Sequence, residues 1–487
     1  MRSDKHTSRV RTLALAAVLG AAALAGCDQF SPTDVKNPNL TDEDFLKTPN
    51  AAAAWVRGVE RQFLTTLNTF ISNSEIMSDN YYNNYTTGSK VFDTPRLDHE
   101  DAEVQGLQAS VARLREVADF GIKSVLPADS TSTPQHEAEL LFLRGMSRLI
   151  SGEYFVGLPE EPRGPVVGPD VHLRAAIADF ERGRTLNTNA ALRNRYTAAL
   201  ARTHYRLGDK AKAVAEAQAL LAAAPTFLQN AAYDGVNGPG NGMTGVLTSS
   251  VNNYQPLPRM DFLDPKFPNR GATVASPLAF LKAEESHMII AEAQLSDGNV
   301  NGAKATMQAL LALVNTRPRE QVDSRLQLRG RAGGLKIYPN TSDTKVAFSP
   351  GAPMREGLVL TRQGPPVTVP TVSGTSVTSA QIDAIASHDE ALYTLYLMRQ
   401  EIFLAEGRRA VDIGLRAPVA LTEVLANPNA KAGEPYTSPQ IPPFLPGNFE
   451  IDAFTYNEAA KTVVINVDVN RLIVQNKTSP FILPFHQ

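Results

Sequence analysis

The chain has 487 residues, 43% of them apolar, and its 47 basic and 50 acidic side chains leave a formal charge of −3. At roughly one domain per 150 residues this allows about three units or one larger helical array, while interspersed charges and average Gly and Pro content exclude a disordered or fibrous chain. The near-neutral balance excludes the basic footprint of a protein that tracks nucleic-acid phosphates, and a single cysteine excludes disulfide frameworks, thiolate zinc sites and paired redox thiols.

The chain opens with Arg2, Lys5, Arg9 and Arg11, followed by an uncharged run from Thr12 to Ala25. That run is shorter than the roughly 20 residues of a bilayer span and has the layout of an export signal. It ends in Leu24-Ala25-Gly26-Cys27, which resembles the lipobox of bacterial lipoproteins, where the cysteine thiol is acylated and the preceding residues are removed. Residues 1–26 are therefore expected to be a lipoprotein signal peptide and Cys27 the lipidation site. The plain alternative is a buried free cysteine in an N-terminal helix. Residues 27–49 are polar and turn-rich, with Pro32, Pro38 and Pro49, and suit a lipidated tether. No later run reaches 18 uninterrupted apolar residues, so membrane attachment would rest on the lipid.

The folded body is expected over 50–487. Ala51 to Phe70 reads as a helix in which Trp55, Val59, Phe63 and Leu67 recur every four residues. Further helices are expected from about Ala102 to Val125 and from Glu137 to Ser151. From Leu192 to Pro225 two Ala-rich helices meet at Gly208-Asp209, a pair suited to ending one helix and capping the next. Leu200, Ala201, Gly208, Ala213 and Pro225 fit the tetratricopeptide period, and Ile290, Ala291, Gly298 and Ala303 repeat it about 90 residues downstream. Arg174 to Leu186 resembles the second helix of an earlier pair. The expected class is mostly α, a tetratricopeptide-like helical-hairpin solenoid with a few short strands. Its core would occupy about 134–225 and 278–315 plus 380–416, with long irregular insertions at about 227–277, 316–379 and 417–487. Lys345 to Phe348, Val367 to Val369 and the alternating Val463, Ile465, Val467 and Val469 read as strands, and helix is expected to run from Ala380 to about Leu415.

The 8 histidines are scattered, with no pair at zinc-binding spacing. No Gly-x-Ser-x-Gly elbow or phosphate-binding Gly-x-x-x-x-Gly-Lys loop occurs, and no two carboxylates stand out as a catalytic pair. Neither metal, cofactor nor catalysis is expected. Arg317, Arg319, Arg325, Arg329, Arg331 and Lys336 read as a solvated basic loop rather than an anion site. Asn80-Tyr81-Tyr82-Asn83-Asn84-Tyr85 places three tyrosines among amides where no period buries them, and Tyr233, Asn252, Asn253 and Tyr254 repeat the composition. Exposed rings with neighbouring amides could hold a sugar. Asn80, Tyr81, Tyr82, Asn84, Tyr85, Asn253 and Tyr254 are thus the candidate ligand residues, against the alternative of a loop packed on its own tyrosines.

Four stretches together resemble the SusD/RagB-like outer-membrane nutrient-binding lipoproteins. They are Asn37-Pro38-Asn39-Leu40-Thr41, the Gly208-Asp209 hairpin, Leu281-Lys282-Ala283-Glu284 continuing to Ile289-Ile290-Ala291-Glu292-Ala293, and Arg399, Glu406-Gly407, Arg409 and Asp412-Ile413. The resemblance implies a lipid-anchored protein of the outer membrane, at the cell surface. It would bind oligosaccharide or another large nutrient and pass it to a partner SusC-like TonB-dependent transporter, without turnover. Glu406, Arg409 and Asp412 are spaced three apart with Arg399 two turns earlier, which suits a structural ion-pair row on one helical face. The rival reading is a tetratricopeptide-type scaffold lipoprotein of envelope assembly, and a third is a glycan hydrolase.

Overall fold

The computed structural model describes residues 48–83, 96–248, 254–323, 337–362, 364–446 and 451–486, together with Leu46 and Phe92. Helix α1 (Ala51–Ile76) buries Val59, Phe63 and Leu67 along the predicted stripe and continues past Phe70, because Ile71 and Ile76 extend its apolar face. α2 (Ala102–Phe120) starts on Asp101, whose carboxylate accepts from the Glu103 amide, and runs into a π-helical stretch at Gly121–Val125. α3 (Pro134–Tyr154) and α4 (Pro169–Leu186) form one hairpin, and α5 (Ala190–Arg206) and α6 (Lys210–Ala223) the next. After the short α7 (Gly242–Thr248), α8 (Ala283–Ser296) and α9 (Val300–Thr316) form another. α1 to α6 pack in sequence order, α8 lies on α6, and α9 lies on α8. The helical-hairpin solenoid is as the sequence predicts. No described helix is long and apolar enough to cross a membrane.

The two clear hairpins turn by the same device. Gly208 and Gly298 adopt φ of 78° and 74°, a left-handed conformation that costs a residue with Cβ about 1 kcal/mol or more. The next residue in each case caps the following helix: Asp209 accepts from Lys212 N at 3.3 Å, and Asn299 accepts from Gly302 N at 2.9 Å. Ala201, Ala213, Ala291 and Ala303 are all buried where the helices cross. Removing bulk at those positions lets backbones approach, which explains the small-residue period.

Strands are short and paired across the insertions. β1 (Tyr81–Asn83) pairs antiparallel with β5 (Tyr254–Pro256), and β2 (Leu158–Pro159) with β3 (Val166–Val167). β4 (Leu228–Ala231) pairs with β6 (Leu278–Lys282), and β7 (Arg319–Val322) with β9 (Val367–Pro370). β10 (Phe454–Asn457) and β11 (Thr462–Ile465) form an antiparallel pair, and β8 (Lys345–Ala347) joins β11 in parallel. The strand expected over 463–469 stops at Ile465, because Asp468 caps a further helix by accepting from Arg471 N at 3.2 Å.

The helix expected over 380–415 is broken into three. α10 (Ser379–Asp383) precedes α11 (His388–Ile402), which packs on α8 and α9, and the single turn α12 (Arg409–Asp412) follows a loop. Ala405 and Gly407 in that loop have positive φ, and the carbonyls of Ile402 and Leu404 accept from buried lysine ammonium groups instead of helical amides. α13 (Leu421–Ala426) and α14 (Val469–Gln475) complete the chain.

Candidate functional site

The tyrosine segment is not a solvent-facing platform. Tyr81 and Tyr82 are 0% and 1% exposed, because β1 is covered by β5 on one edge and by aromatic rings around it. Tyr81 OH donates to Asp264 Oδ1 at 2.9 Å, Tyr82 OH donates to Gln255, and the rings of Tyr338 and Phe454 lie 6.2 and 5.7 Å from that of Tyr82. Asn80 is equally buried: its amide donates to Glu75 Oε2 at 2.8 Å and its oxygen accepts from Gln400 at 3.0 Å. Tyr254, 5% exposed, packs beside Tyr81. Asn84, Tyr85, Asn253 and Cys27 lie outside the described residues.

Beside this segment the ion-pair residues form a knot rather than a row. Since α11 ends at Ile402, Glu406 and Arg409 leave its face and reach other elements. Arg409 donates to both Asp79 carboxylate oxygens at 2.5 and 3.0 Å, Gln400 donates to Asp79 at 2.9 Å, and Arg259 stands 3.6 Å away. Burial opposes the charge on Asp79, but Arg409 and Arg259 overcome it and hold that carboxyl below its ordinary range. Glu406 accepts from Lys266 at 2.5 Å and Lys282 at 2.6 Å. Arg399 pairs with Asp412 at 2.6 Å, and Arg206 meets the same carboxylate at 2.8 Å. Arg317, expected in a solvated loop, is buried and donates to Glu284 at 2.7 Å, closing the end of α9 onto α8. Nearby, burial pushes the Glu75 carboxyl up to about 7 despite hydrogen bonds from Asn80 and Gly407.

What opens to solvent lies elsewhere. A cavity of about 280 Å³ lies between α10, α11, α14 and the segment carrying Arg355. Arg355 is placed by reciprocal 2.9 Å backbone hydrogen bonds to Val346 in β8, and its guanidinium stacks 4.5 Å from the ring centre of Phe348. Arg471, on α14, stacks at the same 4.5 Å over Tyr393 of α11. Tyr393 OH donates to Asp468 Oδ2 at 2.8 Å, so the α14 cap also fixes this ring. Val377, Ile385 and Leu397 supply apolar walls and Gln381 and Thr394 polar ones. By contrast, Arg195, lining a cavity of about 230 Å³ over Phe142, is already paired with Glu139. A third concavity, about 500 Å³ and lined by Trp55 and Phe120, has its cation Lys123 paired with Asp119 at 2.6 Å.

No family model matches the sequence, and no curated protein matches it. Solved structures do. A SusD superfamily protein from Bacteroides vulgatus aligns over 80% of this chain and 100% of its own, at 12% identity and a TM-score of 0.51. A SusD-like protein from Bacteroides fragilis aligns over 77% of this chain and 87% of its own, at 10% identity and a TM-score of 0.51. The chain has the SusD-like fold. A further Bacteroides vulgatus structure, described as a candidate sugar binding protein, matches at 12% identity and a TM-score of 0.51, over 80% of this chain and 99% of its own.

In this SusD-like fold the charged signature Glu406-Gly407-x-Arg409-x-x-Asp412 has a structural meaning. Gly407 adopts a φ of 69°, its N–H donates to Glu75 at 2.8 Å, and a Cβ there would sit 3.1 Å from Ile71 and the Tyr154 hydroxyl. The signature therefore seats the α11–α12 loop against α1 and α3. Of the ion-knot partners, Asp79, Lys266 and Lys282 escaped the sequence reading because each lies over 100 residues from the group it neutralises. Arg355, Tyr393 and Arg471 were missed as well, having no shared motif or spacing. A pairing of β8 with β11 is what brings them near one another.

Proposed function

We propose that the chain is a nutrient-binding lipoprotein of the outer-membrane surface that captures oligosaccharide or another large nutrient and hands it to a TonB-dependent transporter. The observation that carries this reading is the fold, which aligns with 87% and 100% of two structures described as SusD-like or SusD superfamily proteins, and with 99% of another described as a candidate sugar binding protein. The lipobox-like Leu24-Ala25-Gly26-Cys27 supplies the anchor. The mechanism is capture and release: buried charges hold the scaffold rigid, and the open cavity beside α11 offers stacked rings and hydrogen-bonding edges to a ligand.

Three experiments test the reading. Affinity purification of the tagged full chain from its native envelope should bring down a TonB-dependent barrel, and Cys27→Ala should abolish lipid labelling and release the protein from the membrane fraction. A glycan and peptide array with the purified soluble body should show reversible binding without cleavage. Recovery of periplasmic assembly factors instead of a barrel would favour the scaffold reading.

A further inference from the structure

Five buried arginines of the scaffold are paired with carboxylates: Arg202 with Glu153, Arg317 with Glu284, Arg362 with Asp261, Arg399 with Asp412 and Arg409 with Asp79. Arg355 and Arg471 are placed differently, Arg355 half-buried and Arg471 exposed. Both line the cavity beside α11, and neither meets a described carboxylate within 4.0 Å. Arg355 has one long contact of 3.5 Å to the Ser376 carbonyl. Each guanidinium instead sits over an aromatic ring, 4.5 Å from its centre, Arg355 over Phe348 and Arg471 over Tyr393. Stacking uses the face of the group and leaves its N–H donors at the edge, in the planar fork that matches an oxoanion.

The carboxylates near the cavity are occupied. Glu390 accepts from the backbone amides of Ala386 at 2.8 Å and Ser387 at 3.2 Å, and the Ala386 amide above all holds its carboxyl below the ordinary range. Asp468 accepts from the Tyr393 hydroxyl and the Arg471 amide. Both negative charges are thus tied to helix starts, where the backbone favours them; Arg471 adds a through-space attraction to Glu390 but makes no ion pair with it within 4.0 Å, so the two cationic edges keep their hydrogen-bond donors. The volume, about 280 Å³, lies just below the roughly 300–1,000 Å³ of pockets that enclose drug-sized ligands, so it suits one ring of a longer chain rather than a whole ligand.

We propose that this cavity is a subsite for an acidic saccharide, whose carboxylate or sulfate oxoanion is held by Arg355 and Arg471 while its ring packs on Tyr393 and the apolar wall. The inference rests on the nutrient-binding reading and narrows its ligand class. Carboxylate and sulfate offer the same acceptor geometry, so both belong in the test.

Calorimetry would compare a uronate oligosaccharide, its methyl-esterified form, a sulfated galactan fragment and a neutral β-glucan oligosaccharide. The expected result is binding of the uronate or the sulfated probe, weakened when salt is raised from 0.05 to 0.5 M, and little binding of the ester. Arg355→Gln and Arg471→Gln should each lower affinity about ten- to hundredfold, the loss expected for a charge-assisted hydrogen bond. Arg182→Gln, a surface change on α4 with its partner Glu137, serves as a charge control and should leave affinity unchanged. Equal binding of ester and acid, or of the neutral glucan with no loss in either variant, overturns the acidic subsite and leaves the sugar-binding reading standing. Binding of no saccharide overturns both. Unchanged thermal midpoints in the two variants would show that any lost affinity is not lost folding.

Discussion

Phe348 lies between two regions that treat charge in opposite ways. The guanidinium of Arg259 lies 5.3 Å from its ring centre and belongs to the knot around Asp79; that of Arg355 lies 4.5 Å away and faces the cavity. In the knot, cations and carboxylates are buried together, so each partner exists to neutralise the other. At the cavity, cations are placed by aromatic stacking and have no described carboxylate partner. The contrast separates groups that hold this fold from groups available to a ligand, a distinction that residue type alone does not make.

The largest expected effects test the first region. Asp79→Ala would leave Arg409 and Arg259 buried without a counter-charge, and should destabilise by about 3–5 kcal/mol in denaturant titration. An unchanged midpoint would show that the knot is hydrated and not structural. Tyr82→Ala should cost a similar amount, about 3–5 kcal/mol, because the ring is wholly buried. A loss of ligand affinity at unchanged stability would restore the platform reading of that segment.

Glu75 gives a pH test of the same region. Its carboxyl is raised from 4.5 to about 7 by burial, so the folded state keeps a proton that the unfolded chain releases first. Stability should therefore decline as pH rises from about 4.5 to about 7, by a Glu75 contribution on the order of 3 kcal/mol. Asp79 acts in a lower window with the opposite sign: its stabilisation is present above its ordinary 3.8 and is lost on acidification through its depressed value. Denaturant titrations of Glu75→Gln at several pH values should lack the upper slope, and a retained slope would assign it to another group.

Smaller effects distinguish turns and surface. Gly208→Ala and Gly298→Ala should each cost about 1 kcal/mol, read as a lower thermal midpoint, since only the left-handed φ and no crowded Cβ opposes them. Arg471→Gln should change stability by no more than about 0.5 kcal/mol, because its side chain is exposed and only a stacking contact is lost. A large destabilisation there would move Arg471 into the scaffold and end the contrast with the knot.

The repeated hairpin could be read directly from the chain, because its determinants are local: alanines at one helical spacing, Gly208 and Gly298 at the turns, and Asp209 and Asn299 as caps act within a few residues of themselves. The stripe of α1 and the short strands β8, β9 and β11 were legible for the same reason. The row Arg399, Glu406, Arg409 and Asp412 was visible as charge but misread as geometry, since the helix break after Ile402 depends on Lys266 and Lys282, which arrive from more than 100 residues away to take its carbonyls. The burial of Tyr81 and Tyr82 was equally beyond the sequence, because β1 and β5 lie more than 170 residues apart and only their pairing covers the rings. The sequence by itself determined the helical hairpins, whose spacing and caps are short-range. Tertiary structure alone decided which charges are neutralised and which are left open, because that depends on long-range closure bringing, or failing to bring, a counter-charge within about 4 Å.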